Sequence, residues 1–512
     1  MSTLQPSQVK IQIHCPQCRG DIEFLEESQV IRCEFCNVSL LVAGREGVLR
    51  YIFPPNLEDL EEVRKIALDY MNSQKEHSGR ISNAFLFYAP FWRIQGMVYR
   101  WVFGSILMKG GTSFSVEGEE SWLPSSMDRT KALLTRVLDH TVPAHTDLKI
   151  NLPTLGLRVQ AIRLRAFESR HLQMRESFLP LDISLDQVQQ EWDRLAGLFF
   201  EDGNITPEVT LQRHAGRRFS LVYFPLWYVQ VHRASGQAVL LIDAVKKSVL
   251  QSLPEGEPIQ QKLQSEESRK SFQFNEIRFL PFRCPNCGWD FPFRPLSVIH
   301  FCPNCRRLWG EKAGEWAELG YQVVPAPEGA KIEELLWVPF WSFLASIDLA
   351  EDRLVSVADL YRLAPPPRVF NQEQESKRPI HIYIPATKFR NPKVVHTLGS
   401  RLTFHQPDLK SWAFPDGSHP MAAGGGLPES DARDLGPVIL GALIPSRNRK
   451  TWKVLKDCSL ELRDPQIFYL PFVRHQLLCR EPSTGLAFQY NALSEELQQD
   501  RPSPKPDGTI SG

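Results

Sequence analysis

Apolar residues fall at helical spacing in two stretches of the chain. Leu60, Val63, Ala67 and Tyr70 recur every three or four residues, which predicts a helix over about 57–72 with Asn56 as N-cap and Asp59 three residues on. Ser184 and Gln187 stand in capping-box positions, and Leu185, Val188, Trp192, Leu195 and Phe199 follow down one side, which predicts a helix over about 184–199. Elsewhere the pattern is that of strands. Residues 157–167 alternate but slip phase near Ala161 and Ile162, the mark of a bulge, and 380–384 reads as a further strand. Pro/Gly-rich stretches at about 362–378 and 406–430 read as surface loops, and 492–499 as a short helix.

One pattern repeats. An aromatic-x-Pro-apolar-apolar pentad occurs at Tyr88-Ala-Pro-Phe-Trp92, Tyr223-Phe-Pro-Leu-Trp227, Trp337-Val-Pro-Phe-Trp341 and Tyr469-Leu-Pro-Phe-Val473. The first and third copies lie 249 residues apart (337 − 88) and the second and fourth 246 (469 − 223), which points to an internal duplication. Residues 321–327 look like the counterpart of 51–55, with the helix that follows the latter deleted or shrunken. Proline cannot donate to a β-ladder, so the pentads are expected on edge strands, strand starts or bulges. Their aromatic rings are expected in the core rather than lining a groove for a peptide, a base or a lipid.

Eight of the ten cysteines form two identical sets. Cys15, Cys18, Cys33 and Cys36 make two CxxC pairs separated by residues 19–32, and Cys284, Cys287, Cys302 and Cys305 make two more separated by residues 288–301. Two residues between thiolates let one tight turn present both sulfurs to one ion, and a short hairpin sets the second turn opposite, which is the spacing of tetrahedral zinc sites. Strands are expected at 21–24, 30–32, 290–293 and 297–301, with Gly20 and Gly288 supplying the left-handed residue after a knuckle. Four thiolates leave zinc no open position, so the two zinc ions are expected to be structural. Arg19, Arg32, Arg283, Arg306 and Arg307 flank the sets, where cations offset the thiolate charge. His14 and His300 adjoin knuckles without ligand spacing, and Cys458 and Cys479 read as small buried apolar residues.

The chain has 512 residues with 59 Lys+Arg against 59 Asp+Glu, which argues against binding driven by overall charge. The apolar run 438–444 is far short of a membrane span, and the first residues lack a signal-peptide pattern, so a cytoplasmic protein without a transmembrane segment is expected. HExxH, GxSxG and a strand-borne GxGxxG are absent, and 104–111 lacks the Gly-Lys-Ser/Thr ending of a P-loop. The expectation is therefore a non-enzyme with no small-molecule substrate.

The knuckles, such as Cys284-Pro-Asn-Cys-Gly288, resemble transcription-factor-IIB-type zinc ribbons. The order of ribbon, Tyr51-Ile-Phe-Pro-Pro55, helix and Ala89-Pro-Phe-Trp92 is similar to a group of bacterial ribbon proteins often labelled as primosomal-helicase relatives. The resulting expectation is an α+β chain, two zinc ribbons attached to β-rich mixed modules. It divides into a flexible tail (1–8), ribbon 1 (9–46), an α+β module (47–251), a linker (252–272), ribbon 2 (273–312), a second α+β module (313–494) and a disordered tail (495–512). The expected role is a protein-interaction scaffold or assembly factor for a protein partner not named by the residues. The alternative is a nucleic-acid-binding accessory protein. From 274 to 312 there are six Lys/Arg against three acids with aromatics interleaved, and Arg294, Arg306, Arg307 and Trp309 are its candidate contacts. Arg158, Arg163, Arg165, Arg170 and Arg175 read instead as a solvated sheet face.

Overall fold

A computed structural model describes residues 9–493 except 77–79, 109–111, 115–119, 123–125, 147–162, 169–170, 172–176, 199, 201–204, 234–235, 255–258, 260–262, 264–273, 327–334, 350–351, 367–368, 408–424, 447–451 and 454–457. The fold is mixed α+β. A nine-stranded sheet, which takes in the first ribbon's hairpin Lys10–His14 and Asp21–Leu25, and a seven-stranded sheet form the body, and the other ribbon strands form smaller sheets.

Both large sheets are built on a pair of antiparallel strands that carry the pentads. In the first, Arg80–Met108 pairs with Ile205–Arg233 so that Tyr88 faces Pro225 and Pro90 faces Tyr223. In the second, Leu335–Leu349 pairs with Ser459–His475 so that Trp337 faces Pro471 and Pro339 faces Tyr469. A short parallel strand then joins each pair, placing Ile52 against Tyr223 and Val323 against Tyr469. The next residue donates its N–H to the same aromatic's carbonyl in each half, Phe53 to Tyr223 at 2.9 Å and Val324 to Tyr469 at 2.9 Å.

The match continues outward. Strand Ser126–Pro143 sets Pro143 against Phe91, and Ile380–Pro385 sets Pro385 against Phe340. Ala144 N–H then donates to the Pro90 carbonyl at 2.9 Å, and Ala386 N–H to that of Pro339 at 2.8 Å. Trp92 Nε1 donates to the Ile183 carbonyl at 3.0 Å, and Trp341 Nε1 to that of Leu427 at 2.9 Å. Directly after these carbonyls begin the helices Leu185–Leu198 and Glu429–Leu443.

The pentads do not lie on edge strands. Each sits inside its sheet, with the proline at a seam where the neighbouring strand changes. Tyr223 pairs with Ile52 while Leu226 pairs with Asp243, and Tyr469 pairs with Val323 while Val473 pairs with Arg480. Pro225 and Pro471 thus occupy gaps where a ladder donor has no regular acceptor to meet. The aromatic rings are core: Trp92, Trp337, Tyr469 and Phe472 are buried.

Several local expectations shift. The first helix runs Leu60–Ser73, and Asp59 rather than Asn56 caps it, accepting from Glu61 N–H at 3.1 Å. Asn56 instead donates its side-chain amide to the Val245 carbonyl at 3.0 Å. The Ser184/Gln187 capping box is present, with Gln187 N–H to Ser184 Oγ at 3.4 Å and Ser184 N–H to Gln187 Oε1 at 2.8 Å. Within 362–378 the chain is not all loop, since helices Val357–Leu363 and Gln372–Glu375 enter it, and helix Pro392–His405 follows further on. Only Asp290 of 290–293 makes a β-bridge, to Arg283, and the last segment of ribbon 2 before its second knuckle is a strand over Ile299–Phe301. Strand Arg163–Ala166 realises the end of 157–167, but the slip at 161–162 lies outside the described residues. So do most of 252–272 and 408–424, the segment 327–334 of the expected helix deletion, both tails, and 494–499 of the expected terminal helix.

The two modules share a core. Tyr99, Trp101, Phe103 and Leu133 of the first pack with Trp337, Phe343, Val438 and Ile439 of the second. Helix Glu429–Leu443 is the bridging element. Trp101 Nε1 donates to its Val438 carbonyl at 3.0 Å, and Lys131 Nζ donates to the carbonyls of Ala442 and Ile444 at 2.5 and 2.6 Å, so a cation sits at the negative end of the helix. Gly441 permits this approach, because a Cβ there would lie 2.6 Å from Trp101 Cδ1.

Candidate metal centres

All four knuckles have one backbone design. The first cysteine's N–H donates to the carbonyl five residues on: Cys15 to Gly20 (2.8 Å), Cys33 to Val38 (3.0 Å), Cys284 to Trp289 (2.8 Å) and Cys302 to Arg307 (2.9 Å). Its carbonyl accepts from the residue four on, which is Arg19, Asn37, Gly288 or Arg306. That fourth residue is left-handed every time, with φ of 65°, 58°, 73° and 60° respectively. The expectation for Gly288 is met. At the first knuckle Arg19, not Gly20, takes the positive φ. Gly20 serves close approach instead, since a Cβ there would lie 2.6 Å from the Phe35 ring of the opposite knuckle.

These turns bring each set of four sulfurs together, every sulfur within 4.8 Å of the others. Cys15–Cys36 and Cys18–Cys33 are separated by 3.9 and 3.7 Å, Cys284–Cys305 and Cys287–Cys302 by 3.5 Å each. Four sulfurs at about 2.3 Å from a tetrahedral ion lie about 3.8 Å apart, so the donor sets fit zinc in number, type and spacing. In each set the first cysteine of each pair is buried. One thiol in each set is drawn down, Cys33 to about 7 chiefly by the Cys36 backbone N–H and Cys287 to about 6 chiefly by the Asn304 side chain, while burial pushes Cys284 and Cys302 up. The two lowered thiols shed protons readily to a metal.

Neither histidine joins the sets. His14 Nδ1 meets Asp21 at 2.7 Å, and His300 is enclosed by Phe282, Phe291 and Trp316, where burial pushes it down to about 3. Cys458 and Cys479 pack in different apolar clusters.

The ribbons are joined, which no local sequence signal announces. Strand Arg278–Pro281, leading into the second set, pairs antiparallel with strand Ser39–Ala43, leading out of the first. Phe282 N–H donates to the Ser39 carbonyl at 3.2 Å, and the N–H groups of Gln29 and Val30 both reach the Pro295 carbonyl, at 2.5 and 3.0 Å. Val30 and Leu41 of the first ribbon share an apolar cluster with Phe282, Phe291, Cys284, Cys302 and Trp309 of the second.

That cluster removes Trp309 from the candidate contact surface, for it is only 8% exposed. Arg307 pairs with Glu318 at 3.0 Å, the Arg306 carbonyl accepts from the Tyr321 hydroxyl at 2.7 Å, and Arg294 is half-buried. Among the described residues of the ribbons the exposed aromatics are Phe35 (68%) of the first and Trp289 (56%) and Phe293 (38%) of the second, the last beneath Arg32 of the first ribbon at 4.8 Å.

Beside the ribbons, the buried Arg93 binds Glu26, at the end of the first hairpin, and Asp139 of the body. Next to this triad a pit of about 30 Å³ is lined by Arg45, Gln95 and Arg218 together with Leu49, Tyr51 and Phe219. That is room for one or two water molecules, not for an organic substrate.

Comparison with protein-family models, with curated proteins and with solved structures returned no match.

Proposed function

We propose that this chain is a non-catalytic zinc-ribbon protein whose metals brace a binding surface, a scaffold or assembly factor for another protein. The observation that carries the reading is the closure of both cysteine sets: four sulfurs within 4.8 Å of one another at each leave a bound ion no position for water or substrate. Zinc here stabilises small ribbons whose own cores are slight. The ribbon likeness to transcription-factor-IIB-type proteins supports the metal assignment and leaves the task to the surface. The matched hydrogen bonds around Trp92 and Trp341 support the further inference that the two modules descend from a duplicated unit.

The test is affinity capture of the zinc-loaded full chain from its native host without chelator. A stable partner in fixed stoichiometry supports the scaffold; recovery of the bait alone counts against it.

Exposed Trp289 and Phe293, with Arg32 stacked on the latter, favour one competing reading, single-stranded nucleic acid on the joined ribbons. A mobility-shift series over salt concentration decides it, because phosphate contacts release counterions and weaken steeply with salt. Salt-insensitive or absent retention removes that reading, and loss of binding in Arg306→Glu/Arg307→Glu sustains it.

A further inference from the structure

The last cysteine of the first set and the first of the second lie 248 residues apart (284 − 36), yet each ribbon completes the other's structure. Strand Ser39–Ala43 leaves the Cys33–Cys36 knuckle with strand Val30–Arg32 on one edge, and Val30–Arg32 is the strand that enters that knuckle. Its other edge is occupied by Arg278–Pro281, which runs into Cys284. Around Val30 the tie is doubled, since Pro295, between the knuckles of the second ribbon, accepts from both Gln29 and Val30. Arg32, next to Cys33, lies over Phe293, and Glu311 Oε1 accepts from the backbone N–H of Gly44 at 3.3 Å. Two ligand residues of the second set, Cys284 and Cys302, are buried in the same cluster as Val30 and Leu41.

From this seam we infer that the two cysteine sets are one binuclear unit that loads cooperatively: zinc in the second set raises the affinity of the first, and the reverse by the same factor. The inference rests on the zinc assignment above and goes beyond it. Metal at Cys284, Cys287, Cys302 and Cys305 fixes the turn that Arg278–Pro281 enters. The ordered strand templates Ser39–Ala43, and Val30–Arg32 is held between that strand and Pro295. The chain entropy of assembling the Cys33–Cys36 knuckle is then largely spent before its metal arrives. An ion that binds only the ordered arrangement gains what the other ion has already ordered, and such coupling is reciprocal. Functionally, as zinc supply varies, fully loaded and empty binding bodies are enriched at the expense of half-loaded molecules.

The experiment uses the full chain. Zinc content of the purified protein comes first: two ions per chain sustain the zinc reading, and fewer than two overturn that reading before coupling is tested. First-set affinity is then measured by competition with a chromophoric chelator in the unmodified chain and in Cys302→Ser/Cys305→Ser. Coupling predicts first-set affinity roughly tenfold weaker in the variant. Equal affinities overturn the inference while leaving two zinc ions in place. Should the variant fail to fold, the unmodified chain answers alone by native mass spectrometry at one equivalent of zinc. Tenfold coupling between like sites leaves about a quarter of molecules singly loaded, against about half for independent sites. A singly loaded share of half or more overturns the inference.

Discussion

Replacing Arg93 by methionine removes the charge that ties the first ribbon to the body. The Arg93 side chain is 1% exposed, and its Nη1 donates to both Glu26 carboxylate oxygens at 3.0 and 2.9 Å. Its Nε and Nη2 donate to Asp139 at 2.8 and 2.6 Å, so one guanidinium holds a carboxylate from each of two elements. Burial opposes that positive charge, but Glu26 and Asp139 outweigh it and push the Arg93 pKa up. Methionine keeps most of the stem's volume and leaves the two carboxylates facing each other across Gln95 Nε2, at 3.2 Å from Glu26 and 3.5 Å from Asp139, with Arg45 donating to the Glu26 backbone carbonyl beside them. Breaking a buried pair by deleting one partner costs about 3–5 kcal/mol. The Asp139 side chain keeps 20% exposure, which allows partial rehydration and places the expected loss near the low end, about 3 kcal/mol. Urea unfolding followed by tryptophan fluorescence reads the loss. Replacing the whole triad (Arg93→Met, Glu26→Leu, Asp139→Leu) should recover part of it, since the three mutually paired charges leave together while Arg45 loses the nearby Glu26 charge. A loss below about 1 kcal/mol for Arg93→Met, the size of an exposed pair, would refute the view that this arginine anchors the ribbon.

Elemental analysis should find two zinc ions per chain, and a strong chelator should lower the melting temperature, because metal binding is linked to folding. Trp92→Phe and Trp341→Phe should each destabilise by about 2 kcal/mol in thermal melts, since each takes its donor from the half-buried Ile183 or Leu427 carbonyl and opens space in the core; a marked difference between the two would mean the modules do not use these rings alike. Burial pushes Asp434 up to about 6, so the folded chain takes up a proton that the unfolded chain binds only near pH 4. Stability from this group therefore grows as pH falls from about 6 to about 4, and Asp434→Asn should flatten that slope and add on the order of 1 kcal/mol at pH 7 after allowance for solvent screening; an unchanged slope would refute it.

The cysteine sets were legible because metal chemistry is written in short spacing, and the helix at Leu185 because its cap and apolar face are both local. Helix Glu429–Leu443 was not. It is apolar on nearly all sides toward its C-terminal half and carries Gly436, Pro437 and Gly441 inside it, a composition that disfavours an isolated helix. Contacts to Trp101 and Lys131, more than 300 residues earlier in the chain, hold it in place, and no window of sequence contains them. The same reason hid the pairing of Arg278–Pro281 with Ser39–Ala43. Trp309 looked like an exposed ring among cations because its cover, Val30 and Leu41, comes from the other ribbon.

The pentads show how a local rule can hold while its usual consequence fails. Proline does avoid the regular ladder, as its missing N–H demands, but these sheets provide the vacancy in their interiors by ending one neighbour and starting another. In the first module the strand Leu49–Ile52, which follows the first ribbon, ends at the seam, and Gly236–Asp243 begins beyond it. In the second, Tyr321–Val323, which follows the second ribbon, ends there, and Leu478–Arg480 begins beyond it. The strand that closes each seam is therefore the one that carries a ribbon's exit into the body. Each ribbon is followed by a strand of three or four residues that pairs with a pentad-bearing strand of its sheet. Because the ribbons are also joined to each other, backbone hydrogen bonds link the two cysteine sets to each other and to both sheets.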